Sequence, residues 1–275
     1  MAGHLEGKVA LVTGGSRGIG AAIAERLAAD GASVALTYSG SEAAAHAVVR
    51  RIEEGGGRAL AIHADAADAD QVRASIAQTV DQLGRLDVLV NNAGMLIVKP
   101  IDELTLAEFD RMMAVNVRGV FVASQEALRH MGDGGRIVNI GSINAERVPF
   151  AGGVLYVLTK AAVSGMTASL ARDVGPRGIT VNALLPGPID TDMNPATGSF
   201  ADEYTQKFGQ APGTYSTEGY DLGTILLKGI DSGAITRPAL LDFVRKYEGQ
   251  GVARKYQWTD KGELTTNLIW MYEVK

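Results

Sequence analysis

The sequence predicts an α/β protein, a doubly wound parallel sheet of Rossmann type with helices on both faces, followed by an atypical C-terminal segment of helices and a possible hairpin. Three observations predict it. Six short, apolar, β-branched runs recur along the first two thirds of the chain, and longer amphipathic stretches separate them. A glycine-rich turn joins the first run to the first of those stretches. Strands alternating with helices in this way imply right-handed crossovers and a sheet covered on both faces.

The strands are read at Lys8–Thr13, Ser33–Thr37, Arg58–His63, Leu86–Asn91, Arg136–Gly141 and Ile179–Leu185. Several are apolar at nearly every position, as strands buried on both faces are, and not at every second position as in a half-exposed antiparallel sheet. After Pro195 the chain changes character. Of the 16 Phe, Tyr and Trp residues only five precede residue 197, so eleven fall in the last 79 residues. An aromatic-rich substrate lid would explain this, as would a seam between segments of different ancestry. The loop Asn194-Pro-Ala-Thr-Gly-Ser199 favours the seam, giving domains at 1–196 and 197–275. The tail reads as helices near 200–209, 216–232 and 236–248, then strands around 251–258 and 264–273 joined by the turn Thr259-Asp-Lys-Gly262.

Composition narrows the function classes. A net charge of -5, with basic residues scattered, disfavours a nucleic-acid partner, which clustered Lys and Arg would hold. The absence of cysteine excludes disulfides and thiolate metal sites, and no metal site is read. The opening residues hold no apolar signal core, and no stretch is read as long enough to span a bilayer. The expectation is a cytoplasmic protein without a membrane partner.

The first strand runs into Thr13-Gly-Gly-Ser-Arg-Gly-Ile-Gly20, and a helix-forming stretch follows. A glycine turn in that setting lets backbone N–H groups approach a pyrophosphate, with Gly14, Gly18 and Gly20 giving the close approach. A site preferring NAD ends its second strand with a carboxylate for the ribose 2′-hydroxyl. Here Ser33–Ser41 offers hydroxyls instead, and Arg17 stands in the turn where it can meet a 2′-phosphate. NADP(H) is therefore the expected cofactor. Asp65 and Asn91-Asn-Ala-Gly94 end the third and fourth strands at the edge where ligands of open sheets bind; Asp65 could equally cap the next helix.

Tyr156 and Lys160 lie four apart in a helical stretch and share a face. A cation beside a phenol favours the phenolate, so the spacing predicts a tyrosine pKa drawn below 10 and suited to proton transfer. The alternative is an aromatic core contact beside a snorkelling lysine. Ser142 closes the fifth strand, where its hydroxyl could donate to a carbonyl oxygen or cap a turn. Asn116 interrupts the apolar stretch Phe109–Met131, and an amide buried there has either a catalytic or a structural partner.

This ordered set resembles the short-chain dehydrogenase/reductase family over residues 5 to about 193, close to the 3-oxoacyl carrier-protein reductase type. The resemblance implies that Tyr156 is the general acid/base, that Ser142 polarises the carbonyl, and that Lys160 lowers the tyrosine pKa and holds the nicotinamide ribose. It also implies that Asn116 positions a relay water, and that Pro186, Gly187, Ile189 and Thr191, in Pro186-Gly-Pro-Ile-Asp-Thr191, surround the nicotinamide. The cofactor set it implies is completed by Ser16, Ile19, Thr37, Tyr38, Ser39, Ala66, Asn92, Ala93 and Gly94. The implied reaction moves hydride between NADP(H) and a ketone or alcohol, in a homo-oligomer. Ser142 and Tyr156 are 14 positions apart where 13 is commoner, which lengthens the loop beside the substrate.

The family's usual continuation to a seventh strand near Val-Asp-Gly-Gly is missing. From about Phe200 the chain instead resembles the end of a branched-chain amino-acid-binding protein of the type I periplasmic family, on Gly213-Thr-Tyr-Ser-Thr-Glu-Gly-Tyr-Asp221, Leu226-Leu-Lys-Gly-Ile230 and Tyr256-Gln-Trp-Thr-Asp-Lys-Gly-Glu-Leu264. A chimera is therefore expected. Its alternatives are a fusion whose reductase part binds cofactor without turnover, and an amino-acid-binding module.

Overall fold

The computed structural model describes residues 5–146, 148, 151–187, 189, 191–193, 225, 228, 232, 237–250 and 255–257. By contact the chain divides into two compact units, residues 1–187 with 191–193, and residues 188–190 with 194–275. The change of unit falls close to the loop at 194–199 where the composition shifts.

In the first unit, six parallel strands run β1 (Val9–Val12), β2 (Ser33–Tyr38), β3 (Arg58–His63), β4 (Val88–Asn91), β5 (Arg136–Ile140) and β6 (Thr180–Leu184). Their spatial order is β3-β2-β1-β4-β5-β6, so the order reverses between β1 and β4. That reversal opens a crevice beyond the carboxyl ends of the two strands, where ligands of such sheets bind. The helices are α1 (Gly18–Ala29), α2 (Glu42–Glu54), α3 (Ala69–Leu83), α4 (Leu106–Met113), α5 (Gly119–His130) and α6 (Val154–Val174).

Burial follows from the alternation of side chains along each strand. On β1, Leu11 faces a core with Ile76, Leu89, Val122 and Ile137 from the α3, α5 and α6 side, all essentially inaccessible. Its neighbours Ala10 and Val12 face Ala24, Val34, Leu36 and Val48 on the α1 and α2 side. Every residue of β1 and β4 is buried, as strands covered on both faces require, whereas β3 and β6 at the margins are partly exposed.

The expectation of no membrane-length apolar stretch is corrected by α6. The helical run Val154–Arg177 is long and apolar enough, by composition, to cross a bilayer. In this fold α6 packs beside β6 and buries Leu155, Val163 and Val174 together with Lys160.

In the second unit, α7 (Arg237–Lys246) lies within the helix expected at 236–248 and carries an ion pair between Asp242 and Lys246 at 2.8 Å. Ile225 and Lys228 are helical, within the expected 216–232. β7 (Gly249–Gln250) pairs antiparallel with β8 (Lys255–Tyr256), the latter within the strand expected at 251–258. The turn expected at 259–262, the strand expected at 264–273, the helix expected at 200–209 and the 213–221 phrase lie outside the described residues.

Candidate active site

The turn after β1 is shaped by what its residues lack. Gly14 and Gly18 take positive φ values of 63° and 53°, which L side chains rarely adopt. At Gly20 a Cβ would stand 2.4 Å from both the Gly14 carbonyl oxygen and Asn92 Nδ2, so the first turn of α1 can lie against the end of β4 only without one. No side chain caps the N-terminus of α1, whose first N–H groups remain free for an anion. This is the cradle that a dinucleotide pyrophosphate requires.

Hydroxyls and amides from neighbouring strands lock the cradle. Thr13 Oγ1 accepts from the backbone N–H groups of Asn92 and Ala93, each at 3.0 Å, and donates to the Val90 carbonyl. Asn92 Nδ2 donates to the carbonyls of Thr13 and Gly14, at 3.0 and 2.9 Å. Thr37 Oγ1 accepts from Gly14 N–H at 3.0 Å, so its buried hydroxyl positions the turn. The side chains of Asn92 and Thr37 thus brace the cradle expected to hold the cofactor. Thr13 was not singled out by the sequence, though its place at the strand end, before Gly14, is the available signal.

At the adenosine end, Tyr38 lies between His46 and His63, edge-on to His63 at 5.5 Å, while His63 Nε2 donates to the Ser39 carbonyl. Asp65 does not cap α3. Asp68 does, accepting from the N–H groups of Asp70 and Gln71, the latter holding its carboxyl below the usual range. Asp65 instead accepts from Ala67 N–H and from Arg111 of α4, at 3.0 Å to one carboxylate oxygen and 3.2 Å to the other. Ala66 is fixed alongside, since a Cβ on Gly119 would stand 2.4 Å from its carbonyl oxygen.

On the other side of the crevice, Ser142 follows β5 and is buried; its Oγ accepts from Asn144 N–H, and its hydroxyl lies near enough to the Tyr156 phenol to favour the phenolate. It therefore caps the turn and meets the tyrosine at once. Lys160 is only 7% exposed, so it does not snorkel. Its Nζ donates to the Ile140 carbonyl at 2.8 Å and lies 5.7 Å from the centre of the Tyr156 ring. Burial lowers its pKa to about 8. The expected fall in the Tyr156 pKa does not occur. Burial pushes the phenol above its ordinary value, and the neighbouring Ser142 hydroxyl only partly opposes this.

Asn116 sits in a single π-helical turn, Ala114–Arg118, between α4 and α5. Its Oδ1 accepts from Met95 N–H at 2.8 Å, and its Nδ2 donates to the Met95 carbonyl and to Thr159 Oγ1. Thr159 in turn donates to the Tyr156 carbonyl at 2.8 Å. Both amide donors are thus committed, and the side chain has one acceptor lone pair left for a relay water. Thr159, which the sequence reading passed over, is the bridge between Asn116 and the tyrosine helix. Gly94 is close to both, since a Cβ there would stand 3.6 Å from Asn116 Oδ1 and 3.7 Å from Lys160 Nζ.

This arrangement of backbone cradle, serine, tyrosine and lysine coincides with a family match. The family model for short chain dehydrogenases matches residues 8–201. The chain is a short-chain dehydrogenase. A short-chain dehydrogenase structure from Burkholderia cenocepacia J2315, in complex with NADP, is 57% identical with a TM-score of 0.72, over 76% of this chain and 85% of that one. The Escherichia coli K12 cyclic-di-GMP-binding biofilm dispersal mediator protein is 47% identical over 200 residues, 73% of this chain and 81% of its own. Elsinochrome reductase 1 of Elsinoe fawcettii is 43% identical over 190 residues, 69% and 71%. None of these matches supports the tail's resemblance to a periplasmic binding protein.

NADP(H) is the cofactor of this short-chain dehydrogenase, and the residues present fit it. Glycine at 14 and 20 lets the turn lie directly against Ala93 and Asn92 at the end of β4, with the backbone of the turn bare of side chains at 14, 18 and 20, and no carboxylate lies in Ser33–Ser41 to repel a 2′-phosphate. Ser16, Ile19 and Ala93 line the turn and the facing end of β4. The Pro186 carbonyl accepts from Ile143 N–H at 3.0 Å, which fixes Pro186 and Gly187 beside Ser142, and Thr191 packs on Gly18. Ile189 is counted with the second unit.

Proposed function

We propose that this short-chain dehydrogenase reduces a ketone to a secondary alcohol with NADPH, and runs the reverse reaction when the alcohol is in excess. The nearness of the Ser142 hydroxyl to the Tyr156 phenol, with buried Lys160 beside the same ring, carries the reading, since it lets one substrate oxygen take both hydroxyl donors. NADPH held in the cradle supplies the hydride. Ser142 donates a hydrogen bond that polarises the carbonyl, and the Tyr156 phenol, kept protonated by burial, delivers its proton to the oxygen as negative charge develops there. Lys160, anchored by the Ile140 carbonyl, holds the nicotinamide ribose and stabilises the phenolate left behind. Asn116, through its remaining lone pair, holds the water that returns the proton. A 3-oxoacyl thioester is one candidate substrate, and the relative named as a reductase supports the reducing direction.

We also infer a homo-oligomer. Phe121, Val154 and Leu158 are exposed on α5 and α6, and Met113, Val117, Phe121 and Met166 line a shallow groove there, an apolar surface of the kind that pairs with a second copy. Light scattering at a mass of two or more chains agrees with this; a clean monomer contradicts it.

The test of activity is NADPH oxidation against a panel of ketones and 3-oxoacyl thioesters, with cofactor binding followed by fluorescence. Turnover on at least one carbonyl is expected. Cofactor binding without turnover on any of them would favour the fusion whose reductase part only binds, and leucine affinity without nucleotide binding would favour the amino-acid-binding module.

A further inference from the structure

The segment after β6 returns to the pyrophosphate turn. Thr191 Cγ2 lies 3.4 Å from the position a Cβ on Gly18 would take, so Thr191 rests directly on the turn. The next residue, Asp192, brings its Oδ2 to 3.9 Å from Nη1 of Arg17, and among the described residues it is Arg17's charged partner. Both side chains are largely exposed, at 65% and 73%. Arg17 holds the cap position of α1 with extended backbone and its side chain makes no capping hydrogen bond, so the guanidinium is free to swing.

These contacts bear on the 2′-phosphate. The hydrogen bond from Gly14 N–H to Thr37 Oγ1 holds the turn against the end of β2, beyond which the adenosine ribose binds. A 2′-phosphate bound there would offer Arg17 a second anion besides Asp192. A single carboxylate at 3.9 Å is a loose point contact, whereas a phosphate monoester carries roughly -1.5 to -2 charges and accepts a guanidinium in a fork.

Resting on the NADP(H) reading of the cradle, we propose that Asp192 is a specificity-determining residue that competes with the 2′-phosphate for Arg17. In the free protein it holds the guanidinium across the turn. The 2′-phosphate of NADP(H) takes the guanidinium from it, while NAD(H), lacking that group, leaves the pair closed. Asp192 therefore reduces the preference for the phosphorylated cofactor below what Arg17 alone would give. Chains with a neutral residue at this position should discriminate more sharply.

The test is calorimetric titration of 2′,5′-ADP and of 5′-AMP, neither of which reacts, into wild type, Asp192→Asn, Arg17→Ala and the double variant. Exposed ion pairs contribute little, so Asp192→Asn should tighten 2′,5′-ADP by roughly two- to fivefold and leave 5′-AMP unchanged. In the Arg17→Ala background the same change should have no effect, a non-additivity that reports a direct coupling. Equal tightening of both nucleotides, or none, overturns the proposal, because Asp192 would then act through general repulsion or not at all. If Arg17→Ala leaves 2′,5′-ADP binding intact, the role of Arg17 fails first and the competition with it, while the cradle's affinity for 5′-AMP still reports on the cofactor site itself.

Discussion

At the cofactor end of the crevice, Gly14, Gly18 and Gly20 make room by leaving out side chains, and Thr13, Thr37 and Asn92 hold the emptied backbone from behind. At the reacting end, Ser142, Tyr156, Lys160 and Asn116 do the reverse, crowding polar side chains into a space that excludes most water. The first region binds through backbone N–H groups and tolerates no addition. The second acts through hydroxyls and an ammonium and tolerates no removal. The two should therefore fail in different ways.

The largest expected effect is at the reacting end. Ser142→Ala should lower kcat by roughly 10²–10³-fold, the usual cost of losing a donor to a developing oxyanion. Steady-state kinetics with NADPH titrated separately would check this, and an equal loss of cofactor affinity would break the division.

Lys160 gives a second measurement, in stability rather than rate. Its folded pKa of about 8 lies below its ordinary value of 10.5, so between those values the unfolded chain binds more protons than the folded one. Stability attributable to this group should thus rise from pH 8 to 10.5, by about 3 kcal/mol at most given roughly 1.4 kcal/mol per unit, and fall away as pH drops through 8. Urea unfolding of wild type and Lys160→Met across that window should show the rise in the wild type alone. Parallel curves would mean that the ammonium is better solvated than its burial indicates.

At the cofactor end, Gly20→Ala forces a methyl to within 2.4 Å of the Gly14 carbonyl oxygen, and overpacking of this kind costs about 1–3 kcal/mol. NADPH affinity should fall by a corresponding five- to 150-fold, while the pH dependence of whatever turnover remains stays that of wild type. A shifted pH profile would mean that the cradle and the proton donor are coupled.

The same division explains what the sequence made legible. Glycine spacing after the first strand, the β-branched runs and the four-residue step from Tyr156 to Lys160 are local patterns, and each took the predicted place, with strand ends moving by a residue or two. What stayed hidden depends on contacts far apart in the chain. Asp65 and Arg111 are 46 positions apart, and nothing local to Asp65 shows that an arginine on α4 occupies its carboxylate. Asn116 could be placed in an apolar stretch, but not in a π turn bonded to Met95 and Thr159. The direction of the Tyr156 shift was misread because spacing brings the lysine near without revealing where its ammonium points. Burial, which spacing does not measure, outweighs the charge.

The most direct test compares NADPH binding with turnover in Tyr156→Phe, which removes one oxygen and leaves every glycine of the cradle in place. A dissociation constant within about twofold of wild type, with carbonyl reduction lowered by about 10²–10⁴-fold, is the expected result. Reduction at an undiminished rate, or affinity lost in step with activity, would contradict the assignment of Tyr156 as proton donor at the mouth of a separately built cofactor cradle.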